Sequence, residues 1–300
     1  MKVDILMAAY NGEKYIAEQI ESIINQSYEG WTLNIRDDAS TDNTRVIVRQ
    51  YVRKYPDKIR LFTNMENSGS PKSNFFELIK NSDADVIFTC DQDDIWEKDK
   101  IEITLKKFEN TDKPLLVHSD LTVIDDENRV IYPSMIKAQH INPSRSLLNQ
   151  LLVQNIVTGC TMAFNRALAD ILVEPELLPV HDWWIAAVAS VFGSIKFIDK
   201  PTIKYRKHGN NACGPQNMND PKYIASRAGD KARAKKMLEL GYVMAVELLE
   251  KYKMPYKYMA MLKDYSKMAD KNKIQKLMVI IKYGIWKSGF IRKVGQIWFM

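Results

Sequence analysis

Three carboxylates fall within four consecutive positions, Asp91, Asp93 and Asp94 around Gln92, directly after the apolar run Val86-Ile-Phe-Thr-Cys90. The run reads as a buried strand, and no cation sits beside the acids to neutralise them. Carboxylate oxygens at this density suit a hard divalent cation. Magnesium or manganese would keep one or two protein carboxylates and fill its other positions with water and substrate phosphate, so a nucleoside diphosphate is the natural occupant. The plainer alternative is a helix cap, with Asp94 accepting from backbone amides ahead of Ile101 and Leu105.

Two further turns carry groups of the same kind. Asn11-Gly12 permits a tight turn that brings main chain close to a flat ligand. Asp37 and Asp38 can accept from a ring N–H or from ribose hydroxyls, the donors that a uridine or thymidine offers; either could instead cap the helix that begins near Asp42.

The elements that must position these groups alternate between strand and helix. Val3 to Ala9, Trp31 to Ile35, Ile59 to Thr63 and Ala84 to Thr89 read as strands, separated by helical stretches over Tyr15 to Gln26, after Thr41, and over Asn74 to Asn81. That order predicts an α/β fold with a mostly parallel central sheet flanked by helices, and ligands in such sheets sit beyond the carboxyl ends of the strands. Polar or turn-rich segments stand at all four ends. No Gly-x-Gly-x-x-Gly turn and no Gly-Lys-Ser/Thr loop is present, which excludes the common dinucleotide and phosphate-loop enzymes.

Composition sets the bounds. The 300 residues are 46% hydrophobic and 27% charged, a globular balance that is neither disordered nor polytopic. Cys90, Cys160 and Cys213 are odd in number and dispersed, so neither a disulfide framework nor a zinc site is expected, and a reducing compartment fits. Asp4 interrupts the first apolar stretch too early for a signal peptide, which predicts a cytoplasmic protein.

The net charge of +6 is a property of the tail. Lys271, Lys273, Lys276, Lys282, Lys287, Arg292 and Lys293 have no acid among them and interleave with apolar residues at helical spacing, from Ile274 and Leu277 to Trp298 and Phe299. The segment reads as a basic amphipathic anchor for the anionic inner leaflet of a membrane, or else as a terminal helix packed on its own domain or on a second copy in a homodimer. It holds no run long enough to span a bilayer, and no nucleic-acid motif accompanies the charge, so nucleic acid is not expected as a partner.

Taken together, Ala8-Ala9-Tyr10-Asn11-Gly12, Asp37-Asp38-Ala39-Ser40-Thr41-Asp42, Asn67-Ser68-Gly69 with Asn74, and Asp91-Gln92-Asp93-Asp94 resemble, in kind and order, the inverting glycosyltransferases of family 2. The likeness spans the first third of the chain, and Ala39 stands where that family usually has glycine. It implies the A-type, nucleotide-diphospho-sugar transferase fold and a metal-dependent hexosyltransferase using Mn2+ or Mg2+. Residues 1–115 would form the nucleotide-sugar-binding half and 116–215 the acceptor-binding, catalytic half of the same domain, with a C-terminal helical extension over 216–300.

By the same resemblance Asp38 contacts the pyrimidine, main chain from Ala8 through Ala9 to Tyr10, with Asn11 beside it, lines the base pocket, and Asp93 is the metal ligand with Asp91 facing ribose or metal-bound water. Asp182 matches the position of the family's catalytic base, which must take the acceptor proton; His181 replaces a common glutamate there. Trp183 and Trp184 offer flat surfaces for sugar faces, or are core, and Asp182 could instead be a helix cap. The stretch Thr158 to Phe164 looks like a strand entered through a small-residue turn, with Gly159 flooring the acceptor site. His118-Ser119-Asp120 offers hydroxyl-binding groups or a structural carboxylate.

The loop Tyr205-Arg206-Lys207-His208-Gly209-Asn210-Asn211 could close basic groups such as Arg206 over the diphosphate, and a neutral His208 could complete the metal's coordination, unless it is a lone structural histidine. That string is similar to bacterial rhamnosyltransferases, which implies dTDP-L-rhamnose as donor and a glycan or lipid-linked acceptor in surface polysaccharide or cell-wall synthesis. A UDP-hexose donor and a non-catalytic membrane-assembly partner are the alternatives. An aspartate-nucleophile phosphatase is disfavoured, because no Thr or Val follows in its expected place.

Overall fold

Side chains pointing alternately to two faces make β1 (Val3–Ala9) a central strand: Val3, Ile5 and Met7 enter the core on one face and Leu6 the core on the other. The computed structural model describes residues 1–109, 111–208 and 230–300. After β1 come α1 (Ile16–Ile24), β2 (Trp31–Asp37), α2 (Thr44–Lys54), β3 (Ile59–Thr63), α3 (Pro71–Lys80) and β4 (Val86–Cys90). β2 and β4 flank β1 in parallel, and β3 lies outside β2. Their carboxyl ends therefore share one edge, where the acidic tetrapeptide, Asp37-Asp38 and Tyr10 to Gly12 emerge together.

The chain continues through β5 (Ile95–Trp96), α4 (Lys100–Leu105), β6 (Leu115–Ile124), β7 (Val130–Tyr132), α5 (Met135–Ala138), α6 (Leu148–Leu151), a 3-10 turn at Gly159–Thr161, β8 (Ala163–Asn165), α7 (Arg166–Ala169), α8 (His181–Phe192) and β9 (Ser194–Arg206). The sheet order is β3-β2-β1-β4-β8-β6-β9-β5, with β7 on β6. The long strands run the same way. Only the short β5, β7 and β8 oppose their neighbours, β8 wedging antiparallel between β4 and β6. Where the sequence suggests a strand over Thr158 to Phe164, the first half is instead the 3-10 turn, because Thr89 Oγ1 donates to Gly159 O at 2.5 Å and Thr161 N to Thr158 O at 2.9 Å.

The last helices are α9 (Lys231–Lys251), α10 (Tyr256–Ser266), α11 (Lys273–Tyr283) and α12 (Phe290–Phe299). They are anchored on the body: Leu248, Leu262, Tyr265, Ile280 and Ile285 share one core with Trp183 and Trp184. The tail thus packs on its own domain, yet Ile274, Met278, Ile281, Phe290, Ile291 and Trp298 remain exposed on its outer side. No helix among the described residues is long and apolar enough to cross a membrane. Cys90 and Cys160 are buried free thiols; Cys213 and the Gly209-Asn210-Asn211 part of the polar loop lie outside the described residues.

Candidate functional site

The turn after β1 is held open by its neighbours. Asn11 takes a left-handed φ of 47°, which asparagine tolerates, so it and not Gly12 makes the turn. Gly12 is needed for space: a Cβ there would stand 2.2 Å from Gln92 Oε1. Gln92 lies across the gap and pairs with Tyr10 as another strand would, accepting from its N–H and donating to its C=O, both at 2.9 Å. Ala9 is buried, Ala8 partly so, and Tyr10 is exposed at the rim.

Asp37 and Asp38 diverge. Asp37 is fully buried, accepts from Ser40 N at 3.1 Å and pairs with Arg45 Nε at 3.1 Å, which makes it the organiser of the β2–α2 turn and removes it from contact with a base. Asp38, 4% exposed, receives Asn64 Nδ2 at 2.6 Å, Ser68 N at 2.8 Å and Ser68 Oγ at 2.8 Å. Burial works against its charge, but the Ser68 amide and the Asn64, Ser68 and Asn74 side chains outweigh it and hold its pKa below the usual carboxylate value. The Asn67-Ser68-Gly69 and Asn74 signature is, in this structure, a cage for that carboxylate. Ala39, directly after Asp38, has φ 58°, a conformation that favours glycine.

Beyond β4 the acids crowd together. Ligand atoms of Asp91, Asp94 and Cys160 lie within 4.8 Å of one another. Burial, then repulsion from Asp93 and Asp182, pushes Asp91 up to about 7, and burial with Asp93 and Asp91 raises Asp94 well above its ordinary value. The buried Cys160 thiol is pushed up as well, so it stays protonated and is a poor ligand. On the open side His208 Nε2 lies 2.7 Å from Asp93 Oδ2. A cluster of oxygen donors with an excess of negative charge and an imidazole at its edge fits a divalent cation. A buried lysine, Lys100, has its ammonium near Thr202 Oγ1 at 3.3 Å and over the Trp96 ring at 4.8 Å; desolvation lowers it to about 8.

Arg206, expected over a diphosphate, is placed elsewhere. Only 1% of its side chain is exposed. Its guanidinium donates to Glu18 Oε2 at 2.6 Å, to Asn128 Oδ1 at 2.5 Å and to the carbonyl of Asp93 at 3.1 Å, while its own N–H meets Asp94 Oδ1 at 3.2 Å. It buttresses the acidic loop from behind. Tyr15 lies between Arg206 and His208, with the guanidinium 4.8 Å from the ring centre, the imidazole stacked at 5.3 Å, and the hydroxyl donating to Asp126 at 2.7 Å.

Asp182 occupies the first turn of α8, facing the cleft. It accepts from Gly159 N at 3.2 Å, from Trp183 N at 2.6 Å and from the Asn155 side chain, but burial outweighs these bonds and raises its pKa to about 6. It is near enough to Asp91 for the two charges to act on each other. Gly159 is required beneath it, since a Cβ would press within 2.9 Å of His181 Nε2. His181 packs on Phe75 with ring centres 4.1 Å apart, and desolvation lowers it to about 3, so it is neutral. Trp183 and Trp184 are core, not sugar platforms: both are buried, with indole N–H groups donated to Leu151 O at 2.6 Å and Val173 O at 2.8 Å. Asp120 is structural as well, binding Leu121 N at 2.8 Å and Ile136 N at 3.1 Å.

Gln92, Tyr15, Lys100 and Asn155 are site residues that the sequence reading passed over. Gln92 and Asn155 carried a signal, a lone amide between acids and one of the two adjacent amides, Gln154-Asn155, inside the otherwise apolar Leu151 to Val157; Tyr15 and Lys100 carried none beyond their helical spacing.

Known proteins resemble this chain in sequence and in fold. The family model described as Glycosyl transferase family 2 matches residues 4–172. The chain is 31% identical over 228 residues to the dTDP-rhamnosyl transferase RfbG of Shigella flexneri, covering 69% of this chain and 73% of that one. It is 29% identical over 169 residues to the Escherichia coli UDP-Glc:alpha-D-GlcNAc-diphosphoundecaprenol beta-1,3-glucosyltransferase WfgD, covering 56% and 62%. Among solved structures, S. aureus TarS 1–349 in complex with UDP-GlcNAc superposes with a TM-score of 0.60 at 18% identity over 94% of this chain and 80% of that chain. The mannosyltransferase PcManGT from Pyrobaculum calidifontis, in complex with GDP-Man and Mn2+, gives 0.55 at 17% identity over 93% and 73%. At such identities these two structures speak for a common fold.

Proposed function

The chain belongs to glycosyltransferase family 2, and from that membership we propose that it transfers L-rhamnose from dTDP-L-rhamnose, with inversion, to a glycan or lipid-linked acceptor in bacterial surface polysaccharide synthesis, at the inner face of the plasma membrane. The single observation that carries the reading is the acidic loop at the end of β4 facing Asp182 on α8: one side for a diphosphate held through a cation, the other for a base. The rhamnosyl assignment is supported by the likeness to RfbG; the likeness to WfgD favours a UDP-hexose as the second donor to test.

In this mechanism the acceptor hydroxyl lies against Asp182, whose carboxylate takes its proton as the oxygen attacks the anomeric carbon. The bond from that carbon to the diphosphate oxygen breaks on the opposite face, and the nucleoside diphosphate leaves. A bound Mn2+ or Mg2+, held by Asp93 and His208 with Asp91 beside them, would offset the charge on the departing diphosphate by several kcal/mol. Main chain from Ala8 to Asn11 borders the base, and Asp38 acts by folding the 64–70 loop against it. Gly159 and neutral His181 form the acceptor floor below Asp182.

Calorimetric titration of dTDP and of UDP in the presence of Mn2+ tests the assignment. The wild type should bind one of them with a metal requirement, and Asp93→Ala should lose that requirement along with most of the affinity. Equal metal-dependent affinity in the two proteins overturns it.

A further inference from the structure

The outer side of the C-terminal helices is a fixed surface with two chemistries. Ile274, Met278 and Ile281 on α11 fall on one stripe at helical spacing, and Phe290, Ile291 and Trp298 form the matching stripe on α12; Phe290 is 81% and Trp298 67% exposed. The helices are joined by a short connection that turns at Gly284 (φ 64°) and Gly289 (φ 77°), and Lys273 Nζ at the head of α11 reaches within 5.8 Å of the Trp298 ring at the tail of α12. The chain thus turns back in a hairpin that brings the head of α11 near the tail of α12, with an exposed apolar stripe on each helix.

The hairpin is held rigidly. Asn149 Nδ2 donates to Tyr283 O at 3.0 Å, Gln296 Nε2 to Ile285 O at 2.7 Å, and Arg292 Nη1 to His140 O at 3.0 Å. The core therefore takes the inner faces of both helices, and the exposed stripes are a second apolar surface that folding leaves open. Seven cations and no acid lie between Lys271 and the C-terminus.

We propose that this hairpin face docks on the surface of an anionic lipid bilayer, with the six exposed side chains entering the acyl boundary and the surrounding lysines meeting lipid phosphates. Charge decides between the lipid and a second copy of the chain: a two-fold dimer through this face would set one basic patch against the other, whereas an anionic leaflet complements it. The surface is tied to the acceptor side of the cleft. Ser288, in the turn of the hairpin, donates through N–H and Oγ to Gln154 Oε1 at 2.9 and 3.0 Å, and the next residue, Asn155, lies beside Asp182 and helps to hold its charge. Docking thus brings the Asp182 wall toward the bilayer, where an acceptor carried on a lipid would arrive; this orientation rests on the transferase reading above.

Co-sedimentation with vesicles of phosphatidylglycerol in phosphatidylcholine, beside pure phosphatidylcholine, is the test. The full chain should bind the anionic vesicles and release them as salt is raised. Phe290→Glu with Trp298→Glu, and separately Lys273→Glu with Lys293→Glu, should each weaken partitioning at least about tenfold, while metal-dependent binding of dTDP or UDP stays unchanged. No binding to the anionic vesicles, or equal binding by wild type and both variants, overturns the proposal. So does a wild-type dimer that Phe290→Glu with Trp298→Glu converts to monomer, which would make the face a self-association surface. Lost nucleotide binding in the wild type defeats the transferase reading instead, with the docking result standing by itself.

Discussion

Replacing Asp182 by asparagine should stabilise the protein while abolishing transfer. The carboxyl has its pKa raised from 3.8 to about 6 because burial outweighs the bonds from Gly159, Trp183 and Asn155. An acid whose folded pKa lies above its unfolded value binds its proton more tightly when folded, so ionising it opposes folding. The penalty is absent below about pH 4, grows between pH 4 and 6, and is fully present above that. Two pH units correspond to about 3 kcal/mol. One side of Asp182 opens on the cleft, where water screens the charge, and the amide cannot accept from every donor the carboxylate serves, which removes about 1 kcal/mol more. A gain of ~1–2 kcal/mol at pH 8 remains, a rise in melting temperature of about 2–3 °C for a chain of this size. Calorimetric unfolding at pH 8 and pH 4 measures it: Asp182→Asn should melt higher at pH 8 and level with wild type at pH 4. Transfer should fall by about 10²–10⁴, and in the wild type it should rise with pH through about 6 as the base loses its proton. A variant that is less stable at pH 8, or a gain that persists unchanged at pH 4, refutes the account of a carboxylate held ionised against its surroundings.

Ala39→Gly should raise the urea midpoint, because a left-handed alanine costs about 1–2 kcal/mol and glycine's extra unfolded freedom takes back only part of that; a gain of ~0.5–1 kcal/mol is expected, and a lower midpoint contradicts it. Arg206→Met should cost about 2–4 kcal/mol in denaturant unfolding and weaken metal-dependent nucleotide binding, since the Asp93–Asp94 loop loses its support, while metal-free nucleotide affinity is unchanged. Full stability combined with weaker metal-free binding would return Arg206 to the diphosphate.

The parallel half of the fold was legible because its signals are local. Short apolar runs such as Val86 to Cys90, bounded by polar turns, read as buried strands, and the turns at their ends mark the edge where ligands bind. The acidic tetrapeptide was legible for the same reason, as four adjacent residues need no fold to become neighbours. What the sequence could not carry was the direction in which a side chain faces. Arg206 and His208 are two residues apart, yet one is swallowed by Glu18 and the Asp93 carbonyl while the other turns to Asp93 Oδ2. Trp183 and Asp182 are adjacent, and the helix sends one into the core and the other to the cleft.

Residue types and spacing by themselves determined the sheet and the acids at its edge, because those follow from patterns read within a few residues, and the motifs they form resemble the family that the comparisons then showed. Tertiary structure alone decided which aspartate of the Asp37-Asp38 pair is sealed by Arg45 and which gathers the 64–70 loop, and that the basic tail is both packed and open. The physical reason is the same in each case: burial and hydrogen-bond partners come from segments far apart in the chain, so the charge and accessibility of a group are fixed only when those segments meet.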